Sequence, residues 1–158
     1  MTTDISTLSR LFPDQGNTML GIYADPRQPD RIIKMVDPTR DGYFAYAAWL
    51  LTNQTRSPHL LKVYAIEVLE PNRALVTVER LEDGHPLPDE QVYDIGSKIS
   101  GYESIYNSNP PPMLVEAAEM IYQDLGKSWW GDLHKGNFMT RADGTIVIND
   151  PLAGRIHC

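Results

Sequence analysis

One cysteine stands in the 158 residues, and it is the last of them, Cys158. An intrachain disulfide is therefore impossible, and no structural zinc site built on several thiolates can be assembled, which fits a reducing cytosol. Long apolar runs are missing too. The richest stretch, FAYAAWLL, is far short of a bilayer span, and the opening MTTDISTLSRLFPDQ has no apolar core of a signal peptide. There is no basic stripe: 14 Lys and Arg stand against 21 Asp and Glu, and the net charge of -7 reads as dispersed over most of the length. Direct binding to a nucleic-acid backbone is accordingly not expected. An acidic surface suits solubility or a basic protein partner. What remains is a cytoplasmic globular protein with neither membrane nor nucleic acid among its expected partners, and with its oligomeric state left open.

The length suits one domain, or two small lobes sharing a cleft. From Gly16, GNTMLGIYADPRQPDRIIKMVD predicts two strands joined by a polar turn. DGYFAYAAWLLTN places Tyr43, Tyr46, Ala47 and Leu50 at the three-to-four spacing of a buried helix face, with Asp41 available as its cap. LLKVYAIEVLE and RALVTVERLE predict a second hairpin across PN. LEDGHPLP, residues 81–88, then breaks the pattern. Beyond it a polar amphipathic helix is expected from Asp89 to about Tyr106, stopped by NSNPPP. MLVEAAEMIYQDLG predicts a core helix ending at Gly126, and FMT-RADG-TIVIN a closing hairpin. The expected fold class is α+β, with a strand-rich part over residues 1–82 and a helix-rich part over 83–158.

The chemistry concentrates in WWGDLHKGNFMTRADGTIVINDP, residues 129–151. Transfer of a phosphoryl group needs metal ligands on the triphosphate, a cation on its non-reacting phosphates, and a carboxylate to orient the attacking hydroxyl. Asp132 and Asn137 are five positions apart, within the reach of one tight loop, and a β return can bring Asp150 back beside Asn137. An amide oxygen and a carboxylate are the hard donors that Mg²⁺ accepts. Each residue also has a plainer reading: Asp132 as a helix cap, Asn137 as a left-handed turn after Gly136, Asp150 before Pro151 as a turn start. Trp129 and Trp130 are expected as core anchors. His59, His85 and His157 show no ligand spacing among themselves.

GDLHKGNFM followed by IVINDP resembles the catalytic loop and metal-binding segment of the protein-kinase-like superfamily. In the front half RIIKMVD resembles the third strand of its small lobe, SPHLLKVY the approach to the fourth, and VTVERLEDG the interlobe hinge. Within the superfamily the chain is most similar to the early serine/threonine protein kinases of T7-like podophages, over about Gly16 to Ala153. Those kinases carry an RVIK-type strand, an AY-containing helix without the usual glutamate, a D-[LM]-H-x-G-N loop, and TDP or NDP in place of DFG.

The resemblance implies a compact kinase-like fold: a small antiparallel-sheet N-lobe that binds nucleotide, and a truncated helical C-lobe with a catalytic-loop hairpin. It implies ATP and Mg²⁺ as cofactors and a host protein as substrate or target. Asp132 would be the catalytic base, with His134 beside it either bracing the loop or touching phosphate. Asn137 and Asp150 would hold Mg²⁺, and Lys34 would neutralise the α and β phosphates. Glu79 and Leu81 would offer hinge backbone groups to adenine, with Met139 flooring the base pocket.

The chain also departs from the kinase pattern. Its glycine turn is reduced to Gly16 and Gly21, and no glutamate lies between Asp41 and Arg56 to hold Lys34. Eight residues follow Asp150, so substrate binding is expected to be built differently from that of larger kinases, or to be missing. The leading expectation is a minimal phage-type serine/threonine kinase. The alternative is a pseudokinase-like protein that binds and inhibits a host factor without catalysis. GDLH also resembles small-molecule phosphotransferases, whose large helical insert has little room here.

Overall fold

The computed structural model describes residues 3–12, 19–83 and 87–156, and these form a mixed α+β structure. Five strands, β1 (Arg10–Phe12), β2 (Met19–Ala24), β3 (Arg31–Val36), β4 (Val63–Glu70) and β5 (Arg73–Glu79), make one antiparallel sheet in the order β1-β2-β3-β5-β4. Both expected hairpins are present. The edge strand β1 was not anticipated, because three residues are too few to show a period. None of the helices is long and apolar enough to cross a membrane, among the described residues.

The two faces of the sheet follow from the period-two alternation of side chains. Val36, Ala74, Val76 and Val78 face inward and join the main core with Tyr43, Tyr46 and Leu50 of α1 (Gly42–Asn53). Ile33, Met35 and Leu75 face the other way, under Ile5 and Leu8. Each fully buried Leu, Ile or Val in such a core contributes roughly 1.5–3 kcal/mol. Asp41 caps α1, its carboxylate accepting from the Tyr43 N–H at 2.9 Å. Gly42 follows because nothing larger fits: a Cβ there would lie 2.4 Å from the Ala153 carbonyl oxygen.

Helix α2 spans Asp89–Ser100 and α3 spans Pro112–Leu125. The first stops six residues before the expected Tyr106. Gly101 turns left-handed at φ 76°, and the buried Asp94 carboxylate then gathers Ser104 and Ser108, which holds the following loop in place of another helical turn. Pro112, expected outside a helix, occupies its first turn, where a missing N–H costs nothing. Leu114, Ala117, Ala118 and Ile121 are buried as expected of this face, whereas Leu125, expected with them, is only half-buried at the end of the helix. Trp129 is buried, but Trp130 is 60% exposed and anchors no core.

The chain closes with β6 (Trp129–Gly131), β7 (Phe138–Thr140), β8 (Ile146–Ile148) and β9 (Leu152–Arg155), pairing as β6-β9 and β7-β8. The main core runs without a break from the sheet through α1 to this hairpin, taking in Phe138, Val147, Ile148 and Leu152. Polar groups stitch the same seam. Tyr46 donates its hydroxyl to the Ile148 carbonyl at 2.7 Å, the Ile148 N–H donates to the His59 carbonyl at 2.9 Å, and Glu82 and Thr140 exchange backbone hydrogen bonds.

Arg141 is the densest of these ties. Its guanidinium reaches both oxygens of Glu79 at 2.8 and 2.9 Å, the Pro58 carbonyl at 2.5 Å and the Leu60 carbonyl at 3.0 Å. Removing one partner of a buried ion pair strands the other charge, so Arg141→Ala is expected to cost about 3–5 kcal/mol. The double variant Arg141→Met with Glu79→Gln leaves no stranded charge and is expected to lose distinctly less. Urea unfolding of both variants checks this, and equal losses would contradict it.

Candidate functional site

Lys34 occupies an inward position of β3, paired with Val76 and flanked in its row by Ile32 and Val36. Strand alternation therefore drives an ammonium into the core, where it is 5% exposed. It lies 4.2 Å from the centre of the Tyr43 ring and 3.5 Å from Asn149 Oδ1. Burial pushes its pKa down to about 8, against the pull of the Asp150 and Asp41 carboxylates.

Asp150 arrives from the opposite side. The β7-β8 hairpin returns the chain so that the Asn149 N–H donates to the Asn137 carbonyl at 2.8 Å, while the Asp132 N–H donates to the Pro151 carbonyl at 2.8 Å. The loop 132–137 and the segment 149–151 are thus laced together along their backbones. Burial raises the Asp150 carboxyl to about 7; Lys34 opposes this, and the Asp41 and Asp132 charges add to it. The Leu152 N–H donates to this carboxylate. Its Oδ1 is nevertheless buried with no hydrogen-bond partner among the described residues, and so is the Tyr43 hydroxyl.

The loop itself is pinned from within. Asn137 is buried in a 3-10 turn, not a left-handed one, and its amide nitrogen donates to the Asp132 carbonyl at 2.6 Å. That leaves its amide oxygen as the group that can meet a cation. His134 braces the loop through Nδ1, which accepts from the Gly136 N–H at 3.1 Å. Its proton in the neutral form therefore sits on Nε2, which lies 3.8 Å from Asp132 Oδ1. Asp132 keeps a side chain 44% exposed at the mouth of the cluster. Beside it, Gly131 and Leu133 line a groove of about 480 Å³ that α2 and the end of α3 complete.

The structure thus brings Asp150 within electrostatic reach of both Lys34 and Asp132, with Asn137 tied to the same two segments. The other sequence-derived candidates lie along the seam. The Glu79 N–H donates to the Lys62 carbonyl at 3.0 Å and its carboxylate serves Arg141, so a base could take only its carbonyl. Leu81 is half-buried against the main core, and Met139 sits mid-strand in β7, opposite Val147. Gly16, His85, His157 and Cys158 lie outside the described residues.

Three members of the cluster were not anticipated in this role. Asp41 read only as a cap, Tyr43 only as core, and Asn149 only as the neighbour of Asp150. The one visible hint was Asp41 standing seven positions after an inward-facing lysine. Among the described residues no group of three or more His, Cys, Asp or Glu side chains could hold a metal ion. A divalent cation would rest on Asp150, the Asn137 amide oxygen and oxygens brought by its ligand, a set that suits Mg²⁺. Compared with known protein families and with curated protein sequences, the chain matches none.

The buried pair dictates a pH dependence. Unfolded, Asp150 ionises near pH 4; folded, it holds its proton to about 7, so stability falls as pH rises through that window. Lys34 acts the other way: from about 8 to 10.5 the unfolded chain holds the extra proton, and stability recovers as pH rises. Asp150→Asn is therefore expected to flatten the decline between pH 4 and 7. At pH 8 it should raise the melting temperature of the ligand-free protein by on the order of 5 °C. Melting curves across pH check both, and a lower melting temperature at pH 8 would contradict the assignment.

Proposed function

We propose that this chain is a compact protein-kinase-like phosphotransferase that uses Mg·ATP to phosphorylate a serine or threonine hydroxyl of a protein. The observation that carries the reading is Asp150 standing within electrostatic reach of both Lys34 and Asp132, together with two buried polar atoms, Asp150 Oδ1 and Tyr43 Oη, that have no partner among the described residues. A folded protein rarely leaves such atoms unsatisfied unless a ligand, ion or water completes them. The kinase-like reading of the fold draws its support from the five-stranded sheet, one helix behind it, and the Asp-Leu-His-Lys-Gly-Asn loop backed by a β hairpin.

In this reading Lys34 holds the non-reacting phosphates, and a phosphate anion restores to its ammonium the charge stabilisation that burial removed. Asp132, the exposed carboxylate of the cluster, orients the acceptor hydroxyl and takes its proton. His134, through the Gly136 N–H, keeps the loop in the shape that presents Asp132. Asp150 and the Asn137 amide oxygen would hold Mg²⁺, which neutralises charge on the β and γ phosphates when bound. Asp41 supplies the carboxylate that α1 does not carry, favouring the charged form of Lys34.

A second reading has an observation of its own. The Lys34 ammonium rests against the Tyr43 ring, with its pKa lowered to about 8, an arrangement that a non-catalytic binding protein could keep permanently. This would be a pseudokinase-like protein that inhibits its target by binding alone.

Two measurements separate these readings. Mg·ATP is expected to raise the melting temperature of the wild type, and Asp150→Asn to blunt that rise, because a ligand stabilises only the state it binds. With radiolabelled ATP and a bacterial lysate, Asp132→Ala is expected to lower protein labelling by about a hundredfold or more. No thermal shift at millimolar Mg·ATP would favour the inhibitor, and labelling unchanged by Asp132→Ala would remove that residue from the reaction.

A further inference from the structure

The negative charge is not dispersed along the chain. Residues 81–125 hold nine acidic side chains and one basic, while the remainder has twelve acids against thirteen bases and is nearly neutral. Eight of the nine acids are exposed: Glu82, Asp83, Asp89, Glu90, Glu103, Glu116, Glu119 and Asp124. The ninth, Asp94, is the buried post around which Ser104 and Ser108 fold the loop. The whole acidic excess therefore lies on α2, α3 and the segments leading into and between them.

The same segment carries an independent feature. Of ten exposed large hydrophobic side chains among the described residues, Tyr93, Tyr102, Ile105, Tyr106 and Met113 fall within twenty-one consecutive positions. Tyr102 is 76% exposed and Ile105 70%, in a loop held from beneath by Asp94. Tyr93 and Tyr106 meet edge to face at 5.2 Å between centroids. Scattered single hydrophobics need no explanation, whereas a fixed group of them within a charged rim marks a contact surface. Tyrosine rings attract cations over their faces, and carboxylates beside them strengthen that preference. The patch also adjoins the site, because Asp89 at the start of α2 lies 3.8 Å from Lys135 in the 132–137 loop.

We propose that this tyrosine-bearing acidic face docks a basic segment of a partner protein, whose lysine and arginine side chains lie on exposed tyrosine rings between carboxylates. The surface stands without phosphoryl transfer; under the proposed activity it would hold the substrate protein beside Asp132.

The test is fluorescence anisotropy of a short fluorescein-labelled peptide of alternating arginine and glycine, titrated with the full chain. Nucleotide is left out, so that failure of docking and failure of transfer are read separately. The arginine peptide is expected to bind and a glutamate counterpart not to. The pair Tyr102→Ser with Tyr106→Ser, which changes no charge, is expected to weaken binding about tenfold. Glu103→Gln should weaken it as well, and Glu70→Gln, on exposed β4, should not. All four positions are exposed, so the variants should melt like the wild type. Absent binding, binding indifferent to the tyrosine pair, or equal losses from Glu70→Gln and Glu103→Gln would overturn the proposal.

Discussion

An ammonium held out of water, within the electrostatic reach of two carboxylates, is the constraint around which the described chain is arranged. Lys34 reaches the interior because it occupies an inward position of a central strand, and Asp150 is half-buried on the facing side. Burial opposes both charges, lowering the lysine pKa and raising that of the acid. Such a pair is weak as a source of stability, since desolvation of two ions commonly exceeds their attraction. Its presence in a core otherwise filled with Val, Leu and Tyr is the physical reason behind the proposal that a ligand completes it.

Holding that pair requires a seam that cannot slide. The sheet ends at Glu79, and the chain then runs beside β7, where Glu82 and Thr140 pair through their backbones. Arg141, one residue on, grips Glu79 and the carbonyls of Pro58 and Leu60, while Tyr46 and His59 hold β8 from the other side. Apolar packing alone fixes distance poorly along a strand. Directional hydrogen bonds at each end of the β7-β8 hairpin set the register that delivers Asp150 opposite Lys34. Glu79 thereby takes a structural part, with its buried carboxylate held by Arg141 and the Lys62 N–H, and its own N–H committed to the Lys62 carbonyl.

Periodicity made much of this legible. The spacing of Tyr43, Tyr46, Ala47 and Leu50 marked the buried stripe of α1, and the two hairpins followed from β-branched runs around turn residues. The intervals between Asp132, Asn137 and Asp150 were visible because a tight loop and a short hairpin are local devices. What stayed hidden was set by contacts distant in sequence. The short strands β1, β6 and β9 exist only through their partners, and α2 ends at Gly101 because Asp94 draws the loop onto itself. Arg141 had no local signal, since nothing in RADG tells of a carboxylate sixty-two positions away. The sequence did contain the charge asymmetry over residues 81–125, which only a count by segment separates from the whole-chain value.

The lack of any acid within α1 is where local and distant constraints meet. An acid within that helix would have to reach Lys34 from the helix surface with a long, mobile side chain. Asp41 instead sits at the cap, where its carboxylate already accepts from the Tyr43 N–H, so much of its rotational freedom is lost to capping before any pairing with lysine is considered. The cap in turn is placed by Gly42, whose bare Cα lets α1 start directly against Leu152 and Ala153 of β9. The strand that follows Asp150 therefore also sets the position of Asp41. One packing contact thus fixes two of the carboxylates around the lysine relative to each other, a coupling that a glutamate further along the helix would not have.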